Sequence, residues 1–319
     1  MADALKDWET RIGRRLKLRD LHILGAVVQW GSMAKAAKHL SMTQPAISEA
    51  IASLEHTLGV RLLDRSPKGV EATIYAGALI KRGLVVFDEL RQGIKDIEFL
   101  ADPARGEVRI GCPESLSAGL VPAVIECLSR RHPQITVYIV DAQPAATGFR
   151  ELRERSVDLL LGRVFEPFSE DDVNMEVLCE DRFLLVVGAK NPWVRRRKVT
   201  LPELINEAWI LYPPDNVIGS FVAGTFRAHG VDAPRNTVTT FSLHVRMHLL
   251  ATQRFVTIMQ ESVLRYNAER WGLKALPIDL GIPRVPLASF SLARRTLSPV
   301  VERFLDHARE LAKPFGKTH

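Results

Sequence analysis

The chain has 319 residues, of which 46% are hydrophobic and 25% charged, the balance of a globular protein with room for two or three structural units. No run of about 18 apolar residues occurs, which excludes a spanning helix, and the opening MADALKDWETRIGRR lacks the apolar core of a signal peptide, so the expected location is the cytoplasm. The net charge of +6 is unevenly placed: residues 11–70 hold ten Lys/Arg against four Asp/Glu, and the remainder holds 33 of each sign. A cationic segment on an otherwise balanced chain points to a polyanionic partner for that segment.

Residues 1–16 read as a polar lead-in, helical from Leu5. Arg19 to Trp30 is a first helix with Leu21, Leu24, Val27 and Val28 inward. Ser32 is a good cap for a short second helix, Met33 to Leu40, whose small Ala36 and Ala37 let another helix cross closely. Ser41-Met42-Thr43 breaks the pattern, Thr43 caps a third helix, and Pro45 is tolerated in its first turn, where the missing amide has no helical partner. Ile47, Ile51, Leu54 and Leu58 form its buried stripe. Gln44, Ser48, Glu49 and Ser53 face outward, and small hydrogen-bonding side chains on a short helix suit a DNA major groove. Gly59 ends the helix. Two short strands then flank the turn Ser66-Pro67-Lys68-Gly69, a wing tipped with Arg65 and Lys68. An ordinary helical hairpin would explain the helices, but not the wing and the local positive charge together.

These residues resemble the N-terminal pattern of the LysR-type transcriptional regulators. The match runs through Gly31-Ser32, Ala36-Ala37, Thr43-Gln44-Pro45-Ala46-Ile47-Ser48, Leu54-Glu55, Leu58-Gly59-Val60 and Arg65. It is most similar to the branch regulating sugar-uptake and catabolic genes. The resemblance implies an α/β protein with an N-terminal winged helix-turn-helix over residues 1–72. A linker and dimerisation helix with its hinge would follow over 73–103. A two-lobed, periplasmic-binding-protein-like effector domain would fill 104–319, with lobe 1 as 104–163 and 268–319 and lobe 2 as 164–267. It further implies a bacterial regulator that binds promoter DNA as a dimer or a dimer of dimers, answers to a small-molecule effector and works with RNA polymerase, with no catalytic residue and no cofactor. The DNA-contacting candidates on the matching segment are Ser32, Lys35, Thr43, Gln44, Pro45, Ser48, Glu49, Arg65 and Lys68.

Ala76 to Leu100 reads as one long helix capped by Thr73, with Leu79, Val86, Leu90, Ile94 and Ile97 in a single stripe. The stripe packs either on its own domain or, as the resemblance implies, on a second subunit. After the breakers Asp102 to Gly106, strands (Glu107–Gly111, Ile135–Val140, Val157–Leu161) alternate with helices (Leu116–Arg131, Thr147–Arg155), which predicts a parallel sheet covered on both faces. The chain is expected to cross into a second lobe near Gly162-Arg163-Val164 and to return for the closing helix Pro299 to Lys313.

Ligands of open parallel sheets sit beyond the carboxyl ends of strands, against helix starts. That rule selects Ser115, expected to cap the next helix, with Ser117, and then Gln143 and Thr147 after the second strand. In the second lobe it selects Tyr212, Phe241 and Ser242. Arg163 at the crossover either balances an anionic ligand or forms a structural ion pair. An organic acid or a sugar derivative fits such hydroxyls and helix starts. Two departures from the family pattern stand out: Gln253-Arg254-Phe255 replaces a Gly-rich stretch, and Met259-Gln260 replaces Leu-Pro.

His244 and His248 have metal-ligand spacing, but Val245 stands where a zincin would need Glu, so no metal is expected. Cys112, Cys127 and Cys179 are too scattered for a zinc site or a disulfide framework and read as inert thiols. The alternative reading is a soluble α/β enzyme acting on a small polar metabolite. Neither a Gly-x-Ser-x-Gly elbow nor a phosphate-cradling loop occurs in the chain.

Overall fold

The computed structural model describes residues 15–66 and 69–315. The lead-in helix expected from Leu5 and the wing-tip Lys68 therefore lie outside the described residues. The chain divides into two compact units, residues 1–91 and 92–319.

The first unit opens with α1 (Leu18–Trp30), α2 (Met33–His39) and α3 (Gln44–Leu58), followed by β1 (Leu63–Ser66) and β2 (Gly69–Ala72). Each boundary has a local cause. Gly31 and Gly59 end α1 and α3 in the left-handed region, at φ 59° and 69°. Ser32 and Thr43 cap the next two helices as expected, each hydroxyl oxygen accepting a backbone N–H at 3.4 Å, from Lys35 and Ala46. Glu55 Oε1 accepts the N–H groups of Leu62 and Leu63 at 2.7 and 3.2 Å, which ties the end of α3 to the start of the wing. The wing strands pair antiparallel, Leu63 opposite Ala72. Inside lie Leu24, Val27, Ala36, Ile47, Ile51 and Leu54, all essentially sealed from solvent.

Helix α4 (Ile74–Ala101) is capped by Thr73, whose Oγ1 accepts from Ala76 N–H at 3.3 Å. At 1.5 Å per residue its 28 residues extend about 42 Å. Leu79 packs against the winged core. Val86, Leu90, Ile94 and Ile97 do not: Leu90 is 48% exposed and Ile97 67%.

The second unit begins with β3 (Arg105–Cys112), α5 (Glu114–Ser117), α6 (Leu120–Arg131), β4 (Gln134–Asp141), α7 (Pro144–Thr147), α8 (Arg150–Arg153), β5 (Leu159–Arg163) and β6 (Val173–Asp181). It continues through β7 (Phe183–Gly188), β8 (Ala208–Leu211), α9 (Val217–Ala228), β9 (Thr237–Thr239), α10 (Leu243–Ala251), β10 (Phe255–Gln260), α11 (Glu261–Trp271) and β11 (Leu273–Ala275), and closes with β12 (Val285–Leu292) and α12 (Pro299–Ala312). Two five-stranded sheets result, in the orders β4-β3-β5-β12-β6 and β11-β7-β10-β8-β9.

Several expectations need correction. The sheets are mixed rather than parallel: β12 runs antiparallel to β5 and β6, and β7 antiparallel to β10 and β11. The crossover does not fall at Arg163. Strand β6 pairs with β12 of the first sheet, so the chain changes lobe between Asp181 and Phe183. Likewise β11 pairs with β7, which carries the second lobe past residue 267, to Ala275. The helix expected over Leu116–Arg131 is broken at Gly119, where a Cβ would lie 3.2 Å from Ser115 O and 3.3 Å from Ser262 O, tight enough that another residue would force the α11 start to shift.

The cores are separate: Val108, Ile110, Val124, Leu128 and Phe304 fill one side of the first sheet, and Leu185, Val187, Trp209, Phe226 and Val256 fill one side of the second. In the first unit, Ile51→Ala empties a fully buried position. It is expected to cost about 2–5 kcal/mol in the unfolding transition of the winged module, measured by urea titration.

Candidate nucleic-acid interface and effector cleft

Helix α3 presents its amino-terminal end outward. Thr43, Gln44, Pro45 and Glu49 are exposed, as is Lys35 on α2, while Ser32 and Ser48 are half-buried. Because the Ser32 and Thr43 oxygens accept helix N–H groups, their hydroxyl protons remain available to an outside acceptor. Ser48 is turned partly inward, its hydroxyl lying 3.9 Å from Met33 Sδ. Arg65 projects from β1 into solvent. The positive end of the α3 dipole, free hydroxyl donors and a wing cation thus share one module.

The second unit holds a cavity of about 410 Å³ between the ends of its two sheets. Of the residues expected to bind an effector, Ser115, Gln143, Arg163 and Phe241 line it, joined by Asp141, Phe165, Asn216, Val217 and Ile218. Four expected residues fall outside this lining. Ser117 faces a different hollow, with its Oγ 3.2 Å from Cys112 Sγ. The Thr147 hydroxyl donates to Glu151 Oε2 at 2.9 Å. Ser242 caps α10 by accepting from Val245 N–H at 3.4 Å. Tyr212 is buried, its hydroxyl donating to Gln260 Oε1 at 3.2 Å.

Ser115 is not a cap. Pro113 occupies the cap position of α5, and Ser115 sits one residue inside the helix, where its Oγ accepts from Arg163 Nη1 at 3.0 Å. Its own hydroxyl proton stays free for the cavity. Arg163 is a structural ion: Nε and Nη2 reach Asp181 Oδ2 at 3.0 and 2.8 Å, and Nη2 also reaches Ser262 Oγ at 2.9 Å. Asp181 in turn accepts from Ser262 N–H at 3.1 Å and from its hydroxyl at 2.6 Å. Both charges are sealed, with side chains 2% and 0% exposed.

His248 Nε2 lies 3.0 Å from His244 Nε2, both rings meet Trp271 edge to face, and no group of three metal-binding side chains occurs among the described residues. Burial pushes the Cys112 thiol up and the Cys179 thiol up to about 12, which keeps both protonated and unreactive at neutral pH.

Two family models account for most of the chain. Residues 18–76 match the bacterial regulatory helix-turn-helix protein model of the lysR family, and residues 101–313 match the LysR substrate binding domain. The chain belongs to the LysR family. Among similar proteins is the HTH-type transcriptional regulator GbpR of Azospirillum brasilense, 27% identical over 286 residues, covering 89% of this chain and 83% of that one. The structure of ArgP from Mycobacterium tuberculosis superposes with a TM-score of 0.66 at 19% identity, covering 94% of this chain and 98% of that one. Full-length CbnR, solved with its target DNA, gives 0.62 at 20% identity over 93% of this chain and 100% of that one. At such identities these two likenesses establish the fold alone. Like its family, the chain is a DNA-binding transcriptional regulator with a substrate-binding domain, not an enzyme.

In this LysR-family chain the sequence reading missed Phe165, Asn216, Val217 and Ile218 in the cavity wall. Asn216 carried a signal: it caps α9, its Oδ1 accepting from Gly219 N–H at 3.0 Å, and so puts that helix start at the cavity. Asp181→Ala leaves the Arg163 guanidinium buried without its counter-charge. The expected loss is about 3–5 kcal/mol in urea unfolding of the second unit. Arg163→Met combined with Asp181→Leu should lose less than Asp181→Ala alone; a larger loss in the double variant would mean the pair stabilises beyond its own desolvation.

Proposed function

We propose that this regulator reads promoter DNA with α3 and the wing, pairs with a second copy through α4, and changes its promoter binding when a small molecule occupies the cavity between the two lobes. In this reading residues 1–72 bind DNA, 73–103 link and pair the subunits, and 104–319 sense the effector. The observation that carries it is the concentration of the chain's whole excess positive charge on the module that exposes the start of α3. Ser32, Lys35, Thr43 and Arg65, with Lys68 at the wing tip, serve the phosphates, which position the module. Gln44, Pro45, Ser48 and Glu49 meet base edges: a Gln amide pairs with adenine, and a carboxylate accepts from cytosine N4.

Self-association follows from α4. Val86, Leu90, Ile94 and Ile97 expose a continuous apolar stripe, and a helix with such a stripe gains by packing it on a partner. Two modules would then read half-sites about 34–36 Å apart or a multiple of that spacing. Dimers pairing further into tetramers, a cytoplasmic location and contact with RNA polymerase complete the reading. For the effector, the cavity offers the Ser115 hydroxyl proton, the Gln143 amide and apolar walls at Phe165, Val217, Ile218 and Phe241.

Fluorescence anisotropy on the chain's own upstream DNA tests the interface. Arg65→Ala should weaken binding to specific and random DNA alike and flatten the log K against log salt slope by about one, since one counterion fewer is released. Gln44→Ala should instead lose about 1–3 kcal/mol on the specific site with little change on random DNA. An unchanged slope in the first variant together with equal losses in the second would take this face off the DNA.

For assembly, Leu90→Glu places a charge in the paired stripe. Light scattering should report about half the wild-type mass. A folded variant of unchanged mass would assign the pairing to another surface.

A further inference from the structure

Arg163, Arg246 and Arg295 are three of the four buried arginines among the described residues of the second unit. Two have acids: Arg163 pairs with Asp181 and Arg295 with Asp158. The third, Arg246 on α10, is 1% exposed, and no carboxylate among the described residues pairs with it. Its Nη1 donates to Thr257 Oγ1 at 2.8 Å and its Nη2 to the Thr240 carbonyl at 3.0 Å, while its face stacks 3.7 Å from the centroid of the Tyr212 ring. Its Nε has no acceptor. Beside the same tyrosine, Gln260 is also 1% exposed. Its Oε1 takes the Tyr212 hydroxyl, and its Nε2 has no partner.

Two unsatisfied donors and an unneutralised guanidinium therefore flank one aromatic ring. A native interior rarely tolerates either feature unless something else completes it. Burial pushes the guanidinium pKa down, and the tyrosine and the more distant Glu114 offset this only in part. The position is also where ligands of such sheets sit, beyond the carboxyl ends of the parallel strands β8 and β10. An anionic acceptor that reached these donors would also neutralise the cation.

We propose that Arg246 and Gln260 form an occluded oxyanion subsite that receives a carboxylate of the effector. The proposal rests on reading the interlobe cavity as the effector site. Phe241 is the door: its ring lies 6.1 Å from that of Tyr212, it is 44% exposed, and it lines the 410 Å³ cavity. With Phe241 and Tyr212 turned aside, a carboxylate enters beneath them while the rest of the molecule stays in the cavity against Phe165, Val217 and Ile218. Asp141 at the first-lobe wall disfavours a second anion there. The effector class is thus a carboxylic acid with an apolar body and its acid group toward the second lobe, rather than a polyhydroxylated sugar.

The test uses the full chain and sodium acetate as the probe, titrated against sodium chloride at matched ionic strength, with thermal melting and the arginine Nε–H resonances in a proton–nitrogen spectrum as readouts. Acetate should raise the melting temperature saturably and shift one buried Nε–H resonance. Gln260→Glu supplies the carboxylate from within. It should melt higher than wild type in chloride and lose the acetate response. Arg246→Lys keeps a cation but loses Nε–H and the fork, and should need about tenfold more acetate. Should that variant not fold, Gln260→Met decides the point by the same weakening. If wild type does not distinguish acetate from chloride, or Gln260→Glu responds as wild type does, the donors are satisfied by water and the subsite is overturned. Since neither readout involves DNA, loss of the acetate response with DNA binding intact removes the subsite alone. Failure of the DNA titration with the acetate response intact removes the regulatory reading alone.

Discussion

The effector-sensing unit depends on one buried ion pair. Arg163 ends β5, Asp181 ends β6, and Ser262 opens α11, so the network among them joins the last residues of the first sheet to the first helix after β10. With both charges sealed and bonded to each other, moving one member leaves an uncompensated charge in the interior. Neighbouring contacts reinforce the joint. Asn267 Nδ2 donates to the Ala118 carbonyl at 2.7 Å, and the missing side chain of Gly119 is what lets Ser262 approach. Each sheet keeps its own core, and the lobes meet through this polar joint together with apolar contacts, Ala118 against the core of the second sheet and Tyr266 against that of the first.

Much of the fold was legible because its signals are local. Ser32, Thr43 and Thr73 each stand where a cap was expected, and each accepts a backbone N–H of its helix. What was not legible depends on distant pairing. Strand β6 is an edge strand whose segment Val173-Asn174-Met175-Glu176-Val177 alternates as a strand should, but only its partner β12, far along the chain, reveals which sheet owns it. Helix α11 opens after Gln260, which makes no side-chain cap, so no start signal precedes it. The lobe boundary was misplaced for the same reason: the departure from β5 looks like a crossover until the return of β6 is known.

The functional residues divide in a similar way. Ser115 was selected correctly as a cavity residue and wrongly as a cap, because sequence shows a hydroxyl near a helix start but not whether Pro113 takes the cap position first. The departures from the family pattern turned out to have structural content. Gln253 adopts φ 68°, a conformation glycine usually takes, and its side chain compensates by accepting Lys190 N–H at 2.8 Å. Gln260, where the family pattern has proline, carries the unpartnered amide beside Tyr212. Arg246 was visible and passed over. Leu243, Arg246, Met247 and Leu250 recur at helical spacing, so an arginine stands in the inward stripe of α10, while the two histidines on the same helix drew attention instead.

A ligand changes a two-state equilibrium only by binding one arrangement better than the other. The Arg163 guanidinium is already bound to Asp181 through Nε and Nη2, so an effector gains little by competing for it against that carboxylate. In the proposed reading the discriminating contacts lie at the cavity wall, where Ser115 and Asp141 stand on one side and Val217, Ile218 and Phe241 on the other. A molecule spanning that gap touches both walls in a closed arrangement and one in an open arrangement, and the difference between those contacts is the free energy available to regulation. A polar joint that resists displacement beside a partly apolar gap that invites filling therefore separates the two tasks. The first keeps the lobes registered, and the second lets a small molecule choose between their arrangements.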